Sequence, residues 1–201
     1  MIINQITAGG GTTPEPYPLL SRVTDDSNNE IGTVCGYHTD ANNQKYAVVC
    51  LDAQYRLASG EYSAQKFLFN NLPAYASAFD AYDARETATF NCDKILAGSA
   101  SSGVSHCRAQ TFTIAGISYA GQMPTLMELL KILEYRQEIN NADTSATANP
   151  GLVIPVDTAM WSSTQVDATS GRLVWTSGSG AGTGSKDYVY FIAPVLEIPI
   201  P

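Results

Sequence analysis

The stretch GQMPTLMELLKILEYRQEIN, residues 121–140, constrains the fold most, because it is the one strongly amphipathic helix pattern in a chain otherwise written in strands and turns. Pro124 precedes Thr125, and Thr125 to Glu128 spell a capping box, in which the Thr hydroxyl and the Glu carboxylate satisfy unpaired N–H groups reciprocally. Leu126, Leu129, Leu130 and Leu133 then form the apolar face, leaving Glu128, Lys131, Glu134 and Glu138 on the wet side. The helix is a structural element; nothing in its face asks for a cofactor.

Around it the chain is β-rich. NNEIGTVCGYHTDANNQKYAVVCLDAQYR, residues 28–56, reads as a hairpin whose turn-forming cluster lies near Ala41 to Asn43. That register sets Cys35 opposite Cys50, where a disulfide needs a non-hydrogen-bonded pair and an oxidising compartment. With only Cys92 and Cys107 besides, the cysteines are too few and scattered for a disulfide scaffold and read first as buried thiols. Residues 56–84 keep no period and read as ordered loop. Ala88, Cys92, Ile95 and Leu96 then form a second helical stripe that ends near Gly98. TFTIAGISYAG reads as a tight hairpin around Ala115 and Gly116, AMWSSTQ and GRLVWTS as strands, SGSGAGTGS as a flexible loop, and DYVYFIAPVLEIPIP as a closing strand that stops at Pro199 and Pro201.

Composition removes several function classes. A net charge of -8 with 11 basic residues leaves little to neutralise phosphates, so nucleic acid is not an expected partner. No apolar run approaches the roughly 20 residues that cross a bilayer, and MIINQITAGGG carries neither the basic start nor the apolar stretch of a secretory signal. Its Ile2, Ile3 and Ile6 form a short β-prone piece ahead of AGGGTTPEPYP, an extended linker, so residues 1–25 read as a docking arm and 26–201 as one domain.

Familiar site motifs fail on order or geometry. In GSGAGTGSK, Lys186 follows Ser185 and not a glycine, so the phosphate-loop order is absent. Cys35 and His38 have metal-like spacing, but a regular strand points them to opposite faces. His106 beside Cys107 has no third partner and reads as a loop histidine. Asp80, Asp83 and Glu86 match no calcium loop and read as solvated charges. No catalytic residue, metal or cofactor is expected. Among aromatics, Trp161 reads as core and Trp175 as the exposed ring; Trp175, Tyr62, Tyr75 and Tyr82 are the candidate ligand contacts, suited to stacking on a sugar or anchoring a protein.

Taken in order, EIGTVCGYHTDANNQKYAVVCLD, MPTLMELLKIL and MWSSTQ followed by a final strand resemble the C-terminal domain family of bacterial collagen-like adhesins over about residues 28–198. That family opens a Glu-Leu-containing helix with a Leu-Pro-Ser/Thr element and follows it, after a polar insert, with Tyr-Trp-Ser-Ser-Thr. Met123 and Met160 depart from its usual Leu and aromatic, and APVLEI lacks the common Arg. The resemblance implies an α+β, C-type-lectin-like fold, related to that of formylglycine-generating enzymes, with short antiparallel sheets and about two helices. The calcium-dependent sugar motifs of true C-type lectins are missing, as is a paired-cysteine copper site.

The expected function is therefore that of a bacteriophage virion structural protein, a head or tail fibre or decoration protein. Its arm would dock on a capsid or tail protein while the lectin-like domain, as a homotrimer by resemblance, adheres to a host-surface glycan or protein. The competing expectations are a bacterial cell-surface adhesin and a divergent formylglycine-generating-type enzyme; fold alone does not choose among them.

Overall fold

The computed structural model describes residues 15–52, 87–98, 102–142, 154, 157–166, 170–178, 180–185 and 190–201. Over these the chain forms β1 (Arg22–Thr24), β2 (Glu30–Thr39), β3 (Lys45–Leu51), α1 (Ala88–Gly98), α2 (Ser102–Arg108), β4 (Thr111–Ile114) and β5 (Ile117–Ala120), then α3 (Leu126–Glu134), α4 (Arg136–Ala142), β6 (Ala159–Gln165), β7 (Ser170–Trp175), β8 (Gly180–Ser185) and β9 (Val195–Ile200). It is a mixed α+β architecture of small antiparallel sheets and, among the described residues, four helices where about two were expected.

The predicted hairpin is present as β2 and β3, and its turn is written in Asp40. That carboxylate accepts the backbone N–H groups of Asn42 and Gln44, both at 2.8 Å, while Asn43 takes the left-handed conformation. The N–H of Gln44, ahead of the other donors, holds the Asp40 carboxyl below its usual value. The register differs from the expected one: on the turn side Gly36 already pairs with Val48, one residue off, and a bulge between Val34 and Gly36 adds a second, so that Thr33, not Cys35, stands opposite Cys50. Cys35 sits in it and donates its thiol to Val48 O at 3.3 Å.

β1 and β9 complete an antiparallel sheet in the order β1-β2-β3-β9, so pairing begins ahead of residue 26, where the sequence reading starts the domain. Arg22 of β1 anchors it, donating to Thr33 Oγ1 at 2.7 Å and forming a two-point ion pair with buried Asp52. β9 runs through Pro199 to Ile200 instead of stopping there; an edge strand tolerates the missing N–H.

Period-two alternation divides the sheet's side chains between two cores. Val34, Ala47, Val49, Leu51, Leu196 and Ile198 pack on one face beneath Tyr17, Tyr37, Phe112 and Tyr119. Phe112 and Tyr119 come from the β4–β5 hairpin, whose turn at Ala115 and Gly116 is held by the Asp26 carboxylate at 2.7 and 2.8 Å. On the other face Cys35, Val48, Cys50 and Val195 meet α1, α3 and β6. Leu126, Leu129 and Ile132 of α3 are fully buried there, each contributing about 1.5–3 kcal/mol over exposure.

The capping box of α3 is formed as its sequence requires: Thr125 Oγ1 accepts Glu128 N–H at 3.2 Å, and Thr125 N–H reaches Glu128 Oε2 at 2.7 Å. Two expectations about this stretch are corrected. The helix breaks at Tyr135 into α3 and α4, and Glu128, expected on the wet face, is 1% exposed. α2 was unforeseen as well, so His106 lies on a helix, 3.2 Å from Gln110 Nε2, and not in a loop.

Candidate functional site

β6, β7 and β8 form the third sheet, and its last strand is the run expected to be a flexible loop. Two glycines of GAGTGS, Gly182 and Gly184, stand where Leu173 and the aromatic rings leave little room for side chains. A β-carbon on Gly182 would stand 3.3 Å from Trp175 Nε1, and one on Gly184 would stand 2.6 Å from Leu173 Cδ2. With hydrogens there, the strand pairs residue for residue with β7.

Over those glycines the aromatic side chains are graded from core to surface. Trp161 is wholly buried, and Tyr190 meets it edge-on at a centroid separation of 5.2 Å. Trp175 meets the same tyrosine at 6.2 Å and 67°, yet is 41% exposed. The arrangement seats an indole at the surface over Gly182, on the same face as Leu173 and Gly184. A half-exposed indole braced edge-on by a tyrosine can stack on a sugar ring or anchor a protein contact with little loss of side-chain freedom.

A second concavity was not visible in the sequence. A cleft of about 410 Å³ lies between the β2–β3 turn and α3, lined by Tyr37, His38, Asp40, Asn43, Met127 and Lys131 among others. At its edge the Lys131 stem lies across Gly36, where a β-carbon would meet Lys131 Cδ at 2.6 Å. The bulge at Cys35 also resets the strand's alternation, so Cys35 and His38 both look toward α3 and not to opposite faces. His38 Nε2 is buried with no hydrogen-bond partner. The Asp40 carboxylate is committed to its turn, and the rest of the wall offers an ammonium, an imidazole, a thioether, a phenol ring, a carboxamide and a hydroxyl.

The four thiols are free and buried. Burial pushes Cys35 and Cys92 up to about 12 and raises Cys50 and Cys107 well above the ordinary thiol value. Cys92 spends its sulfur on the backbone, accepting Met123 N–H at 3.2 Å. Among the described residues no group of three or more His, Cys, Asp or Glu side chains is placed to hold a metal, and no described helix is long and apolar enough to cross a membrane.

Of the expected contacts, Trp175 is thus placed at the surface, while Tyr62, Tyr75 and Tyr82, and the docking residues Ile2, Ile3 and Ile6, lie outside the described residues. The two motifs that carry the family resemblance are brought into direct contact. Ser163 donates to Pro124 O through its N–H at 2.7 Å and its hydroxyl at 3.1 Å, and Leu126 N–H donates to Thr164 Oγ1 at 2.9 Å. No protein-family model matches the chain, and no curated protein matches it either.

Proposed function

We propose that this chain is a bacteriophage virion structural protein, a fibre or decoration protein that displays a C-type-lectin-like domain for adhesion to a host-surface glycan or protein. Its N-terminal arm would dock on a capsid or tail protein, and the domain would assemble as a homotrimer, so that weak contacts gain by avidity.

The observation that carries this reading is the hydrogen-bonded junction between MPT and WSST. In a lectin-like display domain the helix opened by the first motif packs beside the strand formed by the second, and here Pro124, Leu126, Ser163 and Thr164 make that contact. The surface indole of Trp175 supports recognition by the outward sheet. A formylglycine-generating activity would call for a reactive thiol, whereas burial keeps the four cysteines protonated.

Light scattering on the full chain tests the assembly: a mass three times that of the protomer is expected, and a monomer at micromolar concentration would overturn the trimeric display reading. Immobilised host cell-wall polysaccharide tests the adhesion. Binding that disappears in a folded Trp175→Ala protein supports it, and binding that is unchanged removes Trp175 from the site.

A further inference from the structure

Glu128 and Glu197 bring two buried carboxyl groups together where three elements converge. Glu197 lies on β9, opposite Val48 of β3, and is 7% exposed. Its carboxylate accepts Ala88 N–H at 2.7 Å, Thr89 N–H at 2.8 Å and the Thr89 hydroxyl at 2.6 Å. α1 has no acid of its own in its first turn, so this distant carboxylate satisfies the helix N-terminus, with Thr87 Oγ1 taking Phe90 N–H at 3.0 Å. Glu128 is equally committed through one oxygen: Oε2 accepts Thr125 N–H, while Oε1 is buried and receives no hydrogen bond from any donor.

A bare carboxylate oxygen facing a second carboxylate would be both desolvated and repelled. A proton on Glu128 Oε1 removes both penalties. It turns the orphan oxygen into a donor to Glu197, whose roughly four lone-pair sites are then filled by three α1 groups and one carboxylic acid. The proton belongs on Glu128 because Glu197 already accepts three donors and Glu128 one.

We propose that Glu128 holds a proton that it donates to Glu197 and that this hydrogen bond acts as a latch, holding the first turn of α1 on β9 while the proton is present and releasing it when the proton leaves to solvent.

The surroundings offer no substitute for that proton. From β2 the Cys35 thiol and from α1 the Cys92 thiol sense Glu128, and both are neutral; Tyr46 of β3 senses Glu197 and is neutral too. β6 presents Ser163, already bonded to Asn91 and Pro124. Lys131, a turn further along α3, lays its stem across Gly36, and among the described residues no Lys, Arg or His forms an ion pair with either carboxyl. Burial first, and the negative charge of Glu197 second, hold the Glu128 carboxyl well above the ordinary carboxylate range. The folded state therefore keeps this proton to higher pH than the unfolded chain does. Its stabilising effect is complete below the ordinary carboxylate value and is lost as pH rises through the raised folded one.

Difference infrared spectroscopy of the full chain, followed upward from just above the ordinary carboxylate range, reads the proton directly. A protonated carboxylic acid band that is absent from Glu128→Gln is expected; its absence from the native protein overturns the proposal. Hydrogen exchange of residues 87–98, corrected for intrinsic rates, reads the latch. Protection there should fall as pH rises through the ionisation of Glu128 in the native protein and hold in Glu128→Gln, whose carboxamide keeps a donor toward Glu197; equal loss in both proteins overturns it. Should Glu128→Gln not fold, Glu197→Gln decides: removing the neighbouring charge must move the ionisation of Glu128 to lower pH, and an unmoved ionisation overturns the proposal.

Discussion

Trp161 lies so close over Gly184 that a β-carbon on the glycine would stand 3.0 Å from the ring's Cη2 atom. Leu173 Cδ2 would be nearer still, at 2.6 Å, and Tyr190 borders the same spot. All three sit in a packed region with nowhere to retreat, so Gly184→Ala is expected to destabilise the fold by about 1–3 kcal/mol through overpacking. Urea unfolding checks this, with Ala181→Ser on the exposed face of the same strand expected to stay within about 0.5 kcal/mol of the parent.

The capping box is a local device and should respond to local changes. Thr125→Ala removes the hydroxyl that receives Glu128 N–H, with an expected loss of about 0.5–2 kcal/mol, while Thr125→Ser keeps the oxygen and most of the stability. Equal losses in the two variants would show that the threonine methyl, and not the cap, is what matters.

What could be read from the sequence, and what could not, follows the same division between local and distant causes. Thr125 and Glu128 stand within one helical turn, so their cap was legible, as were the Asp40 turn and the hairpin at Ala115 and Gly116. The burial of Glu128 was not, since it depends on how α3 packs against elements distant in sequence; polarity alone put it on the wet face. β8 failed for a related reason. Glycines in a row look like loop until Trp161, Leu173 and Trp175 are known to lie on them. The bulge at Cys35 has no local signature either; its one extra residue undid the opposed faces of Cys35 and His38 and, added to a one-residue shift at the turn, the Cys35–Cys50 pairing. Trp161 and Trp175 were separable because one sits inside an apolar strand and the other at a strand's end.

Thiol chemistry should be silent in the native state. With burial raising all four cysteines, a chromogenic disulfide reagent at neutral pH is expected to show no fast phase, and to report four thiols once urea is added. The same burial ties stability to alkali. A thiol whose folded value is raised to about 12, as for Cys35 and Cys92, contributes fully below its unfolded value, and that contribution is lost as pH climbs through the folded one. A rapid native reaction with one equivalent of reagent would contradict the buried assignment and reopen thiol catalysis.

The two tryptophans should be distinguishable by a small polar quencher, because the chain has only these and the structure sets them at opposite extremes. Trp161 is fully enclosed, whereas Trp175 leaves 41% of its surface open while resting edge-on against Tyr190. Iodide is therefore expected to quench one component of the native fluorescence and spare the other, and Trp175→Phe should abolish the quenchable component. The phenyl ring keeps the contact with Tyr190, so the variant should unfold at nearly the parent's urea midpoint; a half-exposed ring contributes mostly what it covers. A bound sugar or protein surface stacked on Trp175 would shield it, making loss of iodide quenching a direct readout of occupancy. Quenching that persists in Trp175→Phe would place the accessible indole at Trp161 and remove the physical basis for a recognition surface on this sheet.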